Sequence, residues 1–221
     1  MESTGTLGAM RYVDRADAGR ILAGYVATAL ADAGETNPPL VLGIPRGGVI
    51  VAAPVAAKLG GELNVALAKK IRAPGNPELA LGAVGENGTV VAVDEVVKGL
   101  GVSPEVFGEL ARRAGRELEE SLAVYRRVKP APAIGGRVVV LVDDGVATGA
   151  TFRATLETIR RQDPGLLVGA IPVGPIDTTD ELERGADILV CPERPRWFQA
   201  VGQWYDEFTQ VSDEEVTAVL G

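Results

Sequence analysis

The chain has 221 residues, enough for one compact domain or one domain with a small annex. Its 22 Lys and Arg against 30 Asp and Glu leave a net charge of −8. That argues against a general binder of nucleic acid or anionic membrane, both of which need a basic face. With 46% hydrophobic residues the chain has ample material for a core, and its composition excludes disorder.

Residues 1–10 are small and polar and are expected to fray. Asp14 is placed to cap a helix running to about Leu30, with Ile21, Leu22 and Val26 as its apolar stripe. After Pro38 and Pro39, LVLGI (40–44) reads as a short buried strand. Gly47 and Gly48 then open a small-residue helix over 49–59, and LNVALAKK (63–70) reads as the next strand. Residues 71–88 are rich in Pro, Gly and Asn, with LALGAV (79–84) as a candidate strand inside them; TVVAV (89–93) is another.

Ser103-Pro104-Glu105 combines an N-cap, a proline at the first helical position and an acid in the first turn. The helix it starts is expected to reach about Val128 and to bury Leu110, Ala114, Leu118, Leu122 and Tyr125. Its Arg112, Arg113, Arg116, Arg126 and Arg127 alternate with Glu109, Glu117, Glu119 and Glu120. They read as a solvated, ion-paired face rather than a phosphate-binding cluster. A strand at RVVVLV (137–142), a helix from about Ala150 to Arg161, a strand at LLVGAIPV (166–173), a short helix near Asp180 and a strand at DILVC (187–191) follow. Strands alternating with helices imply an α/β fold with a mainly parallel, twisted sheet and helices on both faces. Past Cys191 the chain turns aromatic, holding both Trp, two of the four Phe and one of the four Tyr between Trp197 and Phe208, which reads as an appended flap rather than more sheet.

The chain has no histidine. Ser-His-Asp and Cys-His nucleophile pairs, histidine bases and His-containing zinc sites are therefore excluded. Any metal should be a hard cation such as Mg²⁺, held by carboxylate and ligand oxygens. The lone Cys191 cannot form an intrachain disulfide. No apolar run reaches the roughly 18 residues of a membrane span, and the N-terminal residues do not read as a signal peptide. The expected location is cytoplasmic.

Chemistry concentrates in VVVLVDDGVATGAT (138–151). A buried strand delivers Asp143 and Asp144 to the carboxyl edge of the sheet, where ligands of open α/β sheets bind. The amides of Gly145, Val146, Ala147, Thr148, Gly149, Ala150 and Thr151, leading into a helix N-terminus, form a cradle for a phosphate, with hydroxyls from Thr148 and Thr151. Two acids beside such a cradle are repulsive unless they grip neighbouring sugar hydroxyls, so the pattern specifies a ribose 5-phosphate. A plain acidic turn or a Walker-B-like strand end is the bland alternative, but no G-x-x-x-x-G-K-[ST] accompanies it. A second anion nest is readable at Gly43-Ile44-Pro45-Arg46-Gly47-Gly48, where a strand, a glycine pair and a helix follow one another.

The run of hydrophobic strand, paired acids and A-T-G-x-T resembles the signature of the type I phosphoribosyltransferases, the family that binds phosphoribosyl pyrophosphate (PRPP). The resemblance covers most of residues 11–215 and looks closest to a little-characterised bacterial phosphoribosyltransferase-like group. It implies the type I fold with a small C-terminal/N-terminal hood, in one domain over 11–221. Asp143 and Asp144 would hold the ribose hydroxyls and 145–151 the 5-phosphate. Pro45, Arg46, Gly47 and Gly48 would form the pyrophosphate loop. Of Lys69 and Lys70, which point opposite ways on a strand, Lys70 is the one expected to face pyrophosphate, with Arg46 as the other catalytic cation. Residues 71–88 fall where the family keeps a mobile catalytic loop, a surface hairpin being the alternative.

The segment 191–211 would be the hood, loosely similar to that of hypoxanthine-type enzymes. There Phe198, beside Trp197, would stack an acceptor and Asp206 would be the acid on the Mg²⁺ side; the alternative makes Trp197, Phe198, Trp204 and Tyr205 core of an annex. Ala147 stands where hypoxanthine-type enzymes place an aspartate, which points away from a 6-oxopurine acceptor. The expected activity is Mg²⁺-dependent displacement of pyrophosphate from PRPP by a nitrogenous acceptor. No nucleic-acid or membrane partner is expected, and a homodimer only as the resemblance implies. A PRPP- or nucleotide-sensing regulator with little turnover is the alternative, and a phosphoribosyl-binding hydrolase or phosphorylase a third.

Overall fold

Runs of Val and Leu too short for a helix build the frame of the protein. The computed structural model describes residues 11–221; the stretch expected to fray, residues 1–10, lies outside the described residues. In chain order the elements begin α1 (Arg15–Asp32), β1 (Leu40–Gly43), α2 (Gly47–Leu59), β2 (Glu62–Val65), β3 (Lys69–Ala73), β4 (Asn76–Val84), β5 (Val90–Ala92) and α3 (Asp94–Gly99). They continue α4 (Pro104–Arg126), β6 (Val138–Val142), α5 (Ala150–Arg160), β7 (Leu166–Ala170), α6 (Ile176–Leu182), β8 (Ile188–Val190) and α7 (Asp213–Leu220).

Five strands form the expected parallel sheet in the order β2-β1-β6-β7-β8. Their side chains alternate between two cores. Val41, Val140, Val142, Val168 and Ala170 pack with α1 and α2. Leu40, Leu42, Val139, Leu141 and Leu167 pack with Phe152, Leu156 and Ile159 of α5. The caps expected at Asp14 and Ser103 are formed, each side chain accepting an amide hydrogen bond from the first turn of its helix. No helix among the described residues is long and apolar enough to cross a membrane.

The structure departs from the sequence reading in its second sheet. Residues 63–70, read as one strand, divide between β2, which pairs with β1, and β3, which joins β4 and β5 in an antiparallel sheet. The chain changes sheets at Ala66-Leu67-Ala68, where small side chains let Ala68 and Ala83 sit against Ala154 of α5. The segment 71–88, expected as a mobile loop with a candidate strand at 79–84 or as a surface hairpin, contains the end of β3, a turn at Pro74-Gly75, β4 over that candidate strand and a single 3-10 turn at Glu86–Gly88. Gly75 takes a φ of 75° there, which glycine adopts without steric cost. Helices α3 and α7 had no expectation in the sequence.

The basic face of α4 also divides. Arg113 pairs with Glu117 one turn on, at the exposed surface as expected. Arg126 turns inward: it grips both oxygens of Glu86 at 2.6 Å, the Asn64 side chain at 2.8 Å and the Val65 carbonyl at 2.9 Å. It thereby ties the end of α4 to both sheets. Arg126→Ala would leave Glu86 mostly buried without its cation, and we expect a loss of about 3 kcal/mol by urea denaturation, against under 1 kcal/mol for Arg113→Ala.

Candidate active site

The connections out of β1 and β6 run in opposite directions: β1 leads through α2 to β2 on one side, and β6 leads through α5 to β7 on the other. This is the switch point of the sheet, where a crevice opens beyond the strand ends. Gly43 and Val142 are register partners, so the two loops that carry the sequence motifs leave the sheet side by side.

Asp143 and Asp144 follow β6 directly into this crevice. The Asp144 amide donates to Asp143 Oδ1 at 2.9 Å, and Arg15 Nε donates to Asp144 Oδ2 at 2.7 Å. Burial, and then the charge of Asp144, push Asp143 well above the usual carboxylate range. Burial also raises Asp144, but the Arg15 guanidinium opposes the rise. The Tyr205 hydroxyl donates to the Asp144 carbonyl at 2.5 Å. Burial and the acid pair hold its phenol far above its ordinary value, so it remains a donor.

The turn after β1 lies directly against these acids, and its glycines are there for closeness. A Cβ on Gly47 would stand 2.0 Å from Asp144 Oδ2, and one on Gly48 would stand 2.8 Å from the Val142 carbonyl and 2.9 Å from Asp143 Cα. On the other side of the acids, Asp143 and residues 145–152 line a concavity of about 160 Å³. Gly149 precedes α5 with a φ of 65°, and Thr178 of α6 donates to the Ala147 carbonyl at 2.9 Å, fixing the loop's curve. The amides of Ala147 to Thr151 have no hydrogen-bond partner among the described residues. Together with the N-terminal end of the α5 dipole they can hold a phosphoryl group.

The structure therefore packs Gly47 and Gly48 on Asp144 and Asp143, and lines one concavity with Asp143 and the loop 145–152, whose lining does not include Asp144; Pro45 lies in the turn before Gly47. The other candidates sit apart from the acids. Arg46 is exposed at the start of α2, with its charge felt at Tyr125, whose hydroxyl donates to Asp213. Lys70 lines a separate concavity of about 410 Å³ with Arg72, Leu110, Arg113 and Glu117. Trp197 is 92% exposed, and Phe198 is half-buried in the same loop. Asp206 forms a surface pair with Arg11 at 2.7 Å, while its amide donates to the Tyr12 carbonyl.

The hood was expected at the C-terminal/N-terminal ends, and the pairing that closes it had no signal in the sequence. Tyr12 bridges to Tyr205 through backbone pairing, and its hydroxyl donates to the Pro172 carbonyl, so both ends of the described chain build the cover. Tyr12, Tyr205 and Phe208 stack in turn, with centroids 5.4 and 5.0 Å apart, and Arg15 lies over Phe208 at 3.8 Å. Trp204 and Tyr205 are thus annex core, whereas Trp197 is not. The aromatic enrichment was the visible signal for Tyr205; Arg15 had none.

A family model for the phosphoribosyl transferase domain matches residues 12–207. Proteins from two strains of Mycobacterium tuberculosis, each provisionally named a phosphoribosyl transferase, are 42% identical over 207 residues. That match takes in 94% of this chain and 46% of theirs, so the chain spans about half the length of these curated relatives. The crystal structure of TT1426 from Thermus thermophilus is 44% identical, with a TM-score of 0.86, covering 96% of this chain and 98% of that one.

Proposed function

The chain belongs to the phosphoribosyl transferase domain family, and on that premise we propose that it transfers a phosphoribosyl group from PRPP to a nitrogenous, nucleobase-like acceptor, releasing pyrophosphate. One observation carries the reading: Asp143 and the amide-rich loop 145–152 line the same concavity, so a carboxylate for a sugar diol and a cradle for its 5-phosphate share one site. The bare turn at Gly47-Gly48, packed on those acids, is where a pyrophosphate would meet backbone amides.

In this reading the acid pair orients the ribose and the loop anchors its phosphate, leaving the anomeric carbon open to the acceptor. The bond from that carbon to the pyrophosphate oxygen breaks as the bond to the acceptor nitrogen forms, through an oxocarbenium-like state. Arg46, in the same turn as Gly47 and Gly48, and Lys70, at the foot of the 71–88 hairpin, would face the pyrophosphate, and closure of that hairpin would exclude water. The donor set suits Mg²⁺, because the acids at the site offer only oxygen. Asp143, together with the substrate's own oxygens, would hold the ion, which supplies positive charge on the leaving pyrophosphate. Asp206, committed to Arg11, is the poorer candidate. Ala147 offers no side-chain acid in the loop, which keeps the acceptor reading away from 6-oxopurines.

The test is a panel of nucleobases and small amines assayed for PRPP-dependent pyrophosphate release with Mg²⁺. Release with at least one acceptor is expected, and none from the Asp143→Asn/Asp144→Asn double variant. PRPP binding by calorimetry without release from any acceptor would instead mark a sensor, and no PRPP binding would overturn the reading.

A further inference from the structure

Arg15 is the first residue of α1, where an arginine is ordinarily solvated, yet its side chain is only 11% exposed. It meets two separate parts of the chain. Its Nε holds Asp144 Oδ2 at 2.7 Å, its Nη1 donates to the Thr209 carbonyl at 2.7 Å, and its guanidinium lies over the Phe208 ring. The space beside Nε is kept open by Gly47, where a Cβ would approach to 2.7 Å. No other cation touches either acid among the described residues. A guanidinium offers several donors in a rigid plane, so a single side chain can hold a carboxylate and a carbonyl at once.

Asp144 has two carboxylate oxygens, and Arg15 uses only Oδ2. Resting on the PRPP reading above, we propose that Arg15 is a positioning residue that aims Asp144 at the ribose diol and couples that aim to the docking of the 208–209 segment over the site. Arg15 touches no reacting atom in this scheme. It fixes one carboxylate oxygen, leaves the other for a sugar hydroxyl, and makes the tail's position and the acid's orientation a single arrangement. A hydrogen bond between charged groups of this kind is sensitive to the loss of either partner.

The experiment compares Arg15→Gln, Arg15→Lys and Asp144→Asn with the wild-type protein. In the ligand-free protein, hydrogen exchange of the Asp206 and Glu207 amides, which donate to the Tyr12 and Val13 carbonyls just before the 208–209 segment, reads the docking. Both Arg15→Gln and Asp144→Asn should speed exchange there by about tenfold, while protection in β6 and α5 stays unchanged. With PRPP and Mg²⁺, Arg15→Gln should raise the KM for PRPP about 10–100-fold, with kcat within about threefold, the pattern of lost binding rather than lost chemistry. Arg15→Lys keeps the charge on Asp144 but not the second hold on Thr209. It should recover most of the KM and leave the tail exchanging fast.

An unchanged KM in Arg15→Gln overturns the proposal. Tighter PRPP binding in that variant also overturns it, and would make Arg15 a competitor for the diol. A tail that exchanges at the wild-type rate in Asp144→Asn removes the coupling. If the wild-type protein binds no PRPP, the functional reading fails, and the exchange arm still decides whether Arg15 couples Asp144 to the tail.

Discussion

Asp143→Asn is expected to weaken PRPP binding at least about 100-fold and at the same time to raise the melting temperature at neutral pH. The two effects share one cause. Asp143 is held above the usual carboxylate range first by burial and then by its neighbour Asp144, so its ionised form is costly in the folded protein. Asparagine keeps an oxygen in the position that accepts the Asp144 amide and removes the charge. A sugar hydroxyl then loses a charged acceptor, and two such bonds at about 1.5–3 kcal/mol each correspond to a loss in affinity of at least about 100-fold.

The pH dependence separates the two effects. A carboxyl whose folded value is raised contributes stability that is complete below the unfolded value of about 4 and is lost as pH rises through the higher folded value. The wild-type protein should therefore fall behind the Asn variant in Tm progressively as pH rises above about 4, with the widest gap at pH 8. PRPP binding runs the other way. It should weaken as pH falls through the same raised range, at a higher pH than an ordinary aspartate would dictate. Thermal melts and calorimetry from pH 5 to 8 measure both trends, and a variant less stable than wild type at pH 8 would show that the carboxylate is not under strain.

Gly48→Ala should damage the site. Its Cβ would press on the Val142 carbonyl and on Asp143 Cα, backbone atoms of β6 and the residue after it that have no rotamer to change. The turn or the strand end must move, at a cost of about 1–3 kcal/mol, and either movement shifts the acid pair. We expect Tm to fall by about 5 °C and PRPP affinity to drop at least about tenfold. Gly24→Ala is the control. Nothing lies within 4 Å of its added Cβ in the exposed face of α1, so it should gain about 0.5–1 kcal/mol from helix propensity and leave binding alone. Equal behaviour of the two variants would mean that the close approach at Gly48 is unimportant.

How much of the site could be read in advance followed from how its parts are spaced along the chain. The cradle 145–151 and the acids before it are contiguous, so a strand, two carboxylates, small residues and a helix start reveal their geometry together. The Gly47-Gly48 turn was equally visible as a strand-to-helix junction. Arg15 was not, because it acts on Asp144 across 129 residues. Nor did anything in LNVALAKK show that the chain would leave one sheet after Val65 and enter another at Lys69. An apolar run marks burial without naming its neighbour. Arg126 illustrates the same limit: identical in type to the solvated arginines around it, it is drawn inward by Glu86 and Asn64, which come from other elements.

By itself, then, the amino-acid sequence determined the alternation of short strands and helices, the two glycine-bearing turns at the ends of β1 and β6, and the chemistry that excludes histidine and favours carboxylates and amides. These are local consequences of side-chain size, branching and hydrogen bonding within a few residues. Tertiary structure decided which strands share a sheet, that the cover is built from Tyr12 and Tyr205 together, and that Asp144 is met by Arg15 beneath Phe208. Those outcomes depend on which surfaces meet when the chain closes on itself, and a buried charge finds its counter-charge in space rather than along the chain.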